Sequence, residues 1–165
     1  MTLGRLWAGW RSEYVEGAAA DNGCVFCRIL ASDEAEDKTY IVRRDADCAV
    51  VLNAYPYTTG HLMVMPVRHI GELEELQAEE ATGLWRELAD AVRALKAGYS
   101  PDGLNVGANL GRSAGAGVPG HFHMHCVPRW NGDTNFMTTL AETRMLPEAL
   151  PATYEKIRKA WPTDG

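Results

Sequence analysis

The sequence predicts an α+β domain with a mostly antiparallel five-stranded sheet, one long helix and a C-terminal helix. Three observations predict it. Short runs of β-branched and apolar residues are separated by turn residues, a single central stretch carries helical periodicity, and further strand-like runs follow it.

At the N-terminus, Leu3, Leu6, Trp7 and Trp10 recur at helical spacing, so a small amphipathic helix is expected, its aromatics covering the core or a subunit contact. Thr39–Arg43 and Cys48–Leu52 read as strands, and Asp45, Ala46 and Asp47 between them suit a hairpin turn. A Pro- and Gly-bearing turn, Asn53–Gly60, leads into a third strand, His61–Pro66. The clearest helix runs from about Leu76 to Tyr99, with Leu84, Leu88, Val92 and Leu95 on one face. Glu79 and Glu80 near its start and Arg93 and Lys96 near its end suit the helix dipole. Gly103–Leu110 is expected as a fourth strand, Gly120–Val127 as a fifth, and Pro147–Trp161 as the last helix. The chain is thus expected to be one domain over 1–165, with an N-terminal arm (1–20), a core (21–130) and a C-terminal extension (131–165).

At 165 residues the chain is long enough for one real core, and 46% hydrophobic with 23% charged residues is ordinary for a soluble globular protein. A net charge of −6 argues against a general nucleic-acid binder, which needs a basic face to displace counterions. It leaves room for a small polyanion held by a few local donors. No run approaches the roughly 18 apolar residues that span a bilayer. Arg5, Arg11 and Glu13 interrupt any secretory h-region, so a cytoplasmic location is expected. The four cysteines are too few for a disulfide scaffold, and the Cys24–Cys27 spacing suggests metal or redox chemistry.

The segment His121–Val127 places His121, His123 and His125 at alternate positions, with Phe122, Met124 and Cys126 between them. In an extended chain all three imidazoles then share one face and the apolar residues pack on the other. One metal bound by all three fits poorly. At about 3.4 Å per residue, His121 and His125 lie about 13–14 Å apart along a strand, whereas a zinc–nitrogen bond is about 2.1 Å. A division of labour is more natural. The middle imidazole, His123, suits attack on phosphorus because its unperturbed pKa lies near neutrality. A flanking histidine can donate hydrogen bonds to phosphoryl oxygens as charge builds. Asn109–Gly120, rich in glycine, precedes the ladder and can aim backbone N–H groups at an anion; Arg112 within it can reach phosphate.

These residues resemble the histidine triad (HIT) family, whose signature is His-x-His-x-His followed by two apolar positions. The likeness runs from about Cys24 to Arg129 and includes the Tyr55–Pro66 run, Arg68 with His69, and Asn105–Asn109. The Arg5–Arg11 segment and the Trp130–Phe136 tail are similar to the bacterial branch resembling diadenosine tetraphosphate phosphorylases.

The resemblance implies a HIT-like fold, a homodimer whose sheets join, and cleavage of dinucleoside polyphosphates through a nucleotidyl-histidine resolved by phosphate or water. It makes His123 the nucleophile, His125 the α-phosphate contact and His61 a support of the same pocket. It assigns Asn53 to the ribose and Asn109 to the phosphate or the loop, with Ser113 and Gly117 in the substrate-binding loop. It also implies a structural zinc on Cys24, Cys27, His69 and His121, a closed Cys₂His₂ set. Cys48 and Cys126 are read as core residues. Two alternatives stand beside this reading: a nucleoside phosphoramidase or nucleotide hydrolase, and a non-catalytic nucleotide sensor. The chain departs from many relatives just ahead of the triad. Where they carry Gln-Ser or Gln-Thr, whose hydroxyl helps protonate the leaving group, Ala116–Pro119 stands here. Ser113, further back, is one candidate substitute, and backbone groups with solvent are the other. His125 in the third position argues against the uridylyltransferase branch, which has Gln there.

Overall fold

The computed structural model describes residues 23–133 and 147–163, so the helix expected near Leu3–Trp10 lies outside the described residues. Five strands form one antiparallel sheet: β1 (Ile41–Arg44), β2 (Cys48–Leu52), β3 (Leu62–Pro66), β4 (Gly103–Ala108) and β5 (Met124–Arg129). Their spatial order is β1-β2-β3-β5-β4, so β5 sits inside the sheet and β4 forms an edge. Two short helices, α1 (Val25–Leu30) and α2 (Glu36–Thr39), precede the sheet. The long helix α3 (Ala78–Tyr99) joins β3 to β4, and α4 (Leu150–Ala160) is the C-terminal helix. This is the expected α+β fold.

Alternation within the strands divides the core into two layers. Cys48, Val50, Leu52, Leu62, Val64, Phe122 and Cys126 face α3 and α4. Ala49, Val51, Met63 and Met65 face the other way, beneath Phe26 and Leu30 of α1. Helix α3 buries Leu84, Leu88, Ala91 and Leu95 on the first layer, while Val92 is partly buried against it. Its start is fixed by a reciprocal capping box between Gln77 and Glu80, and Glu80 also takes a bidentate pair from Arg68 at 2.8 Å.

The structure corrects the fifth strand. It begins at Met124 rather than Gly120, because β3 and β4 supply ladder partners only as far as Met124. His121–His123 lies ahead of the strand, with a bend at His121, and does not belong to the sheet. Its backbone is held instead by the Phe122 N–H donating to the Ile70 carbonyl at 2.6 Å and the His121 N–H donating to Val118 at 3.3 Å. The alternation of faces nevertheless survives, with Phe122 in the helix-side core and His121 and His123 on the opposite side. Helices α1 and α2 were not expected. At six and four residues they are too short to show a period.

Candidate functional site

The sheet face opposite α3 and α4 opens into a cavity of about 1140 Å³. Its apolar wall includes Phe26 and Ile29 from α1, Val51 from β2 and Met63 from β3, and its polar end carries His123 and His125. The glycine-rich loop closes another side with Arg112, Gly115, Gly117 and Val118. The imidazoles of His123 and His125 lie edge to face at 4.9 Å between centroids.

Hydrogen bonds assign opposite roles to these two rings. His123 is only 6% exposed, and its Nδ1 lies 2.8 Å from the His121 carbonyl. A carbonyl can only accept, so the proton sits on Nδ1 and Nε2 keeps its lone pair. Burial lowers the His123 pKa, partly offset by the same carbonyl, and so favours the neutral ring. Phe26 packs against it edge-on at 5.0 Å.

His125 is set through His61. The backbone N–H of Tyr57 donates to His61 Nδ1 at 3.1 Å, and Asn53 Nδ2 approaches the same nitrogen at 3.3 Å. His61 must therefore carry its proton on Nε2, which lies 2.9 Å from His125 Nδ1. His125 accepts there and holds its own proton on Nε2, as an N–H donor in a ring that lines the cavity. A nucleophilic nitrogen and a donor thus stand side by side.

His61 is fully buried and is not on the cavity wall, so it acts on the site through His125. Asn53 does line the cavity, and its Oδ1 accepts the Tyr55 N–H at 2.9 Å, which shapes the turn. Asn109 lies outside the wall. Its Nδ2 donates to the Gly115 carbonyl at 3.4 Å and so ties the glycine-rich loop. Ser113 is exposed and also outside the wall, whereas Gly117 is on it. Tyr57 was given no role from the sequence. It contacts both His61 and His125, and the signal was its place in the Tyr55–Pro66 run, four residues before His61.

The other end of the ladder belongs to a separate cluster. One donor atom each from Cys24, Cys27, His69 and His121 lies within 4.8 Å of the others, an arrangement able to hold a metal ion. Cys24 Sγ is 3.3 Å and Cys27 Sγ 3.6 Å from His121 Nδ1, and Cys27 Sγ is 3.1 Å from His69 Nδ1. His121 donates its Nε2–H to the Pro66 carbonyl at 2.9 Å, which leaves Nδ1 as the ligating lone pair. Burial and the neighbouring Cys24 push the Cys27 thiol up.

Comparison with known proteins places the chain. An AP-4-A phosphorylase from Mycobacterium tuberculosis is 37% identical over 96% of this chain and 85% of its own length. A Zn-bound histidine triad family protein from Mycobacterium smegmatis superposes with a TM-score of 0.67 at 29% identity, over 84% of this chain and 92% of that one. A hypothetical histidine triad nucleotide-binding protein from Sulfolobus tokodaii gives the same TM-score and identity over 83% and 91%. The profile of the HIT domain family matches residues 34–132. The chain belongs to the HIT family.

Proposed function

We propose that the protein cleaves dinucleoside polyphosphates such as diadenosine tetraphosphate, with His123 as nucleophile. The observation that carries the reading is the opposed tautomers of His123 and His125 at one end of an apolar cavity. The base lies among Phe26, Ile29, Val51 and Met63, and Asn53 meets the ribose. The lone pair of His123 Nε2 attacks the α-phosphorus, an N–P bond forms, and the P–O bond to the departing nucleotide breaks. His125 Nε2–H and the loop around Gly117 stabilise the non-bridging oxygens. Inorganic phosphate or water then attacks phosphorus, the N–P bond breaks, and His123 regains its lone pair. The likeness to an AP-4-A phosphorylase supports the phosphate route.

A leaving amine needs a proton, and a leaving nucleotide does not. The loop offers no hydroxyl at the cavity wall, since Ser113 lies outside it and position 117 is glycine. This favours the nucleotide over the phosphoramidate reading.

Zinc is the ion proposed for the Cys₂His₂ cluster. Bonds of about 2.3 Å to sulfur and 2.0–2.1 Å to nitrogen place neighbouring tetrahedral donors about 3.6 Å apart, and the S···N separations here are 3.1–3.6 Å. A closed site of this kind is structural: it anchors α1 to the strand entry and keeps His121 out of the chemistry. The chain is further proposed to act as one domain, in the cytoplasm, and as a homodimer. Edge strand β4 supplies the pairing surface, with Val106 44% exposed.

His123→Ala should keep nucleotide affinity while turnover of diadenosine tetraphosphate falls on the order of 10³-fold or more. Wild-type turnover in that variant would remove the covalent mechanism. Product analysis separates the two routes: phosphate as acceptor yields ADP with ATP, and water yields AMP with ATP.

A further inference from the structure

We propose that Tyr57 is a positioning residue that holds the His125 ring with its Nε2–H toward the substrate; this rests on His125 acting at the phosphate. Tyr57 reaches the buried His61 and the partly buried His125 in two ways. Its backbone N–H donates to His61 Nδ1 and so sets the tautomer that His61 passes to His125. Its ring lies 4.6 Å from the His61 ring and 5.8 Å from the His125 ring, the latter nearly parallel at 28°. His61 and His125 are themselves 5.0 Å apart. The tyrosine ring therefore forms the third side of a three-ring stack within the range of favourable aromatic contacts.

A half-turn of the His125 ring about χ2 would put ring carbons where its two nitrogens stand. Flipping His125 would move its Nδ1 from His61 and take its Nε2–H from the position that serves the phosphate. The tyrosine face opposes that rotation by contact along the ring. Backbone and ring of one residue thus fix both the proton position and the orientation of the donor. The turn that presents Tyr57 is built for this. Asn53 Oδ1 holds the Tyr55 N–H, and the Thr58 hydroxyl donates to the Pro128 carbonyl at 2.9 Å on β5, the strand that carries His125.

The test compares Tyr57→Phe, Tyr57→Leu and Tyr57→Ala in the full chain by two readouts. The first is the ¹⁵N spectrum of the histidine rings without substrate; the second is kcat and KM for diadenosine tetraphosphate. Tyr57→Phe keeps the stack and should match wild type in both. Tyr57→Leu, which fills the space without an aromatic face, and Tyr57→Ala should show His125 as a mixture of tautomers, with kcat reduced at least tenfold and KM little changed. A single unchanged His125 tautomer in Tyr57→Leu overturns the proposal, as does a Tyr57→Phe as impaired as Tyr57→Ala, which would put the hydroxyl on the substrate. The spectrum needs no turnover, so an inactive wild-type enzyme with the predicted spectra would refute the cleavage reaction and leave the positioning role standing.

Discussion

His121 stands at a junction between two chemistries. Its ring belongs to the cysteine cluster, and its carbonyl holds the Nδ1 proton of His123. The four cysteines divide accordingly. Cys24 and Cys27 are partly exposed and share donors with His69 and His121, whereas Cys48 and Cys126 are fully buried with thiol pKa values pushed up to about 12 by burial. Purified, never-chelated protein should contain about one zinc per chain, since four ligands close a tetrahedral site. A thiol reagent should then modify Cys24 and Cys27 rapidly only after chelation, and Cys48 and Cys126 only on unfolding. Mass spectrometry of the alkylated peptides checks both statements, and absence of zinc would remove the metal assignment.

Among elements, α3 packs closely on β2 at Gly83. Gly83 faces Cys48 so tightly that an added Cβ would lie 2.9 Å from Sγ, a contact that requires movement. Gly83→Ala would gain up to about 1 kcal/mol of helix propensity but overpack the interface by about 1–3 kcal/mol. A net loss of stability is expected in denaturant titration, and Cys48→Ala in the same chain should reverse much of it. If Gly83→Ala stabilises the protein alone, helix α3 has room to shift and the packing account fails.

The same elements mark how much was legible in the sequence. Strand β2 was read at its observed limits, and β3 and α3 within two residues of theirs, because period and turn residues are local signals. The cysteine half of the cluster was legible in the Cys24–Cys27 spacing, but its histidines only through family likeness, since Cys27 and His69 are 42 residues apart. The histidine ladder announced itself by alternation, yet its strand was drawn too early. The end of β5 depends on where β3 and β4 stop offering partners, a tertiary fact no window around residue 121 contains. The hydrogen bond of the Tyr57 N–H was likewise invisible, because a backbone donor leaves no mark on residue type.

For the molecule as a whole, charge is arranged against its sum. The net charge is −6, but the charged residues at the cavity wall are Arg28, Lys38 and Arg112 against Glu34. The polyphosphate proposed as substrate would thus meet a locally cationic wall in an acidic protein. Burial of Glu87 carries an electrostatic cost. Glu87 of α3 is 4% exposed, its Oε2 has no hydrogen-bond partner, and burial, then Asp45, raises its pKa despite Arg86 at 3.5 Å. A raised carboxyl pKa means the folded state binds the proton more tightly, so its contribution to stability falls as pH rises above the ordinary value near 4.5. Glu87→Gln should raise Tm at pH 7 and give a smaller gain at pH 4. A lower Tm at pH 7 would show that the ion pair with Arg86 outweighs desolvation.

Central to the proposed mechanism is His123 Nε2 as the atom that attacks phosphorus. Brief incubation with diadenosine tetraphosphate labelled at the α-phosphate, quenching in alkali to preserve an N–P bond, and peptide mapping tests it directly. Label on His123, absent when the residue is alanine, is the expected result. Turnover with no labelled peptide under single-turnover conditions, or label on another histidine, would contradict it.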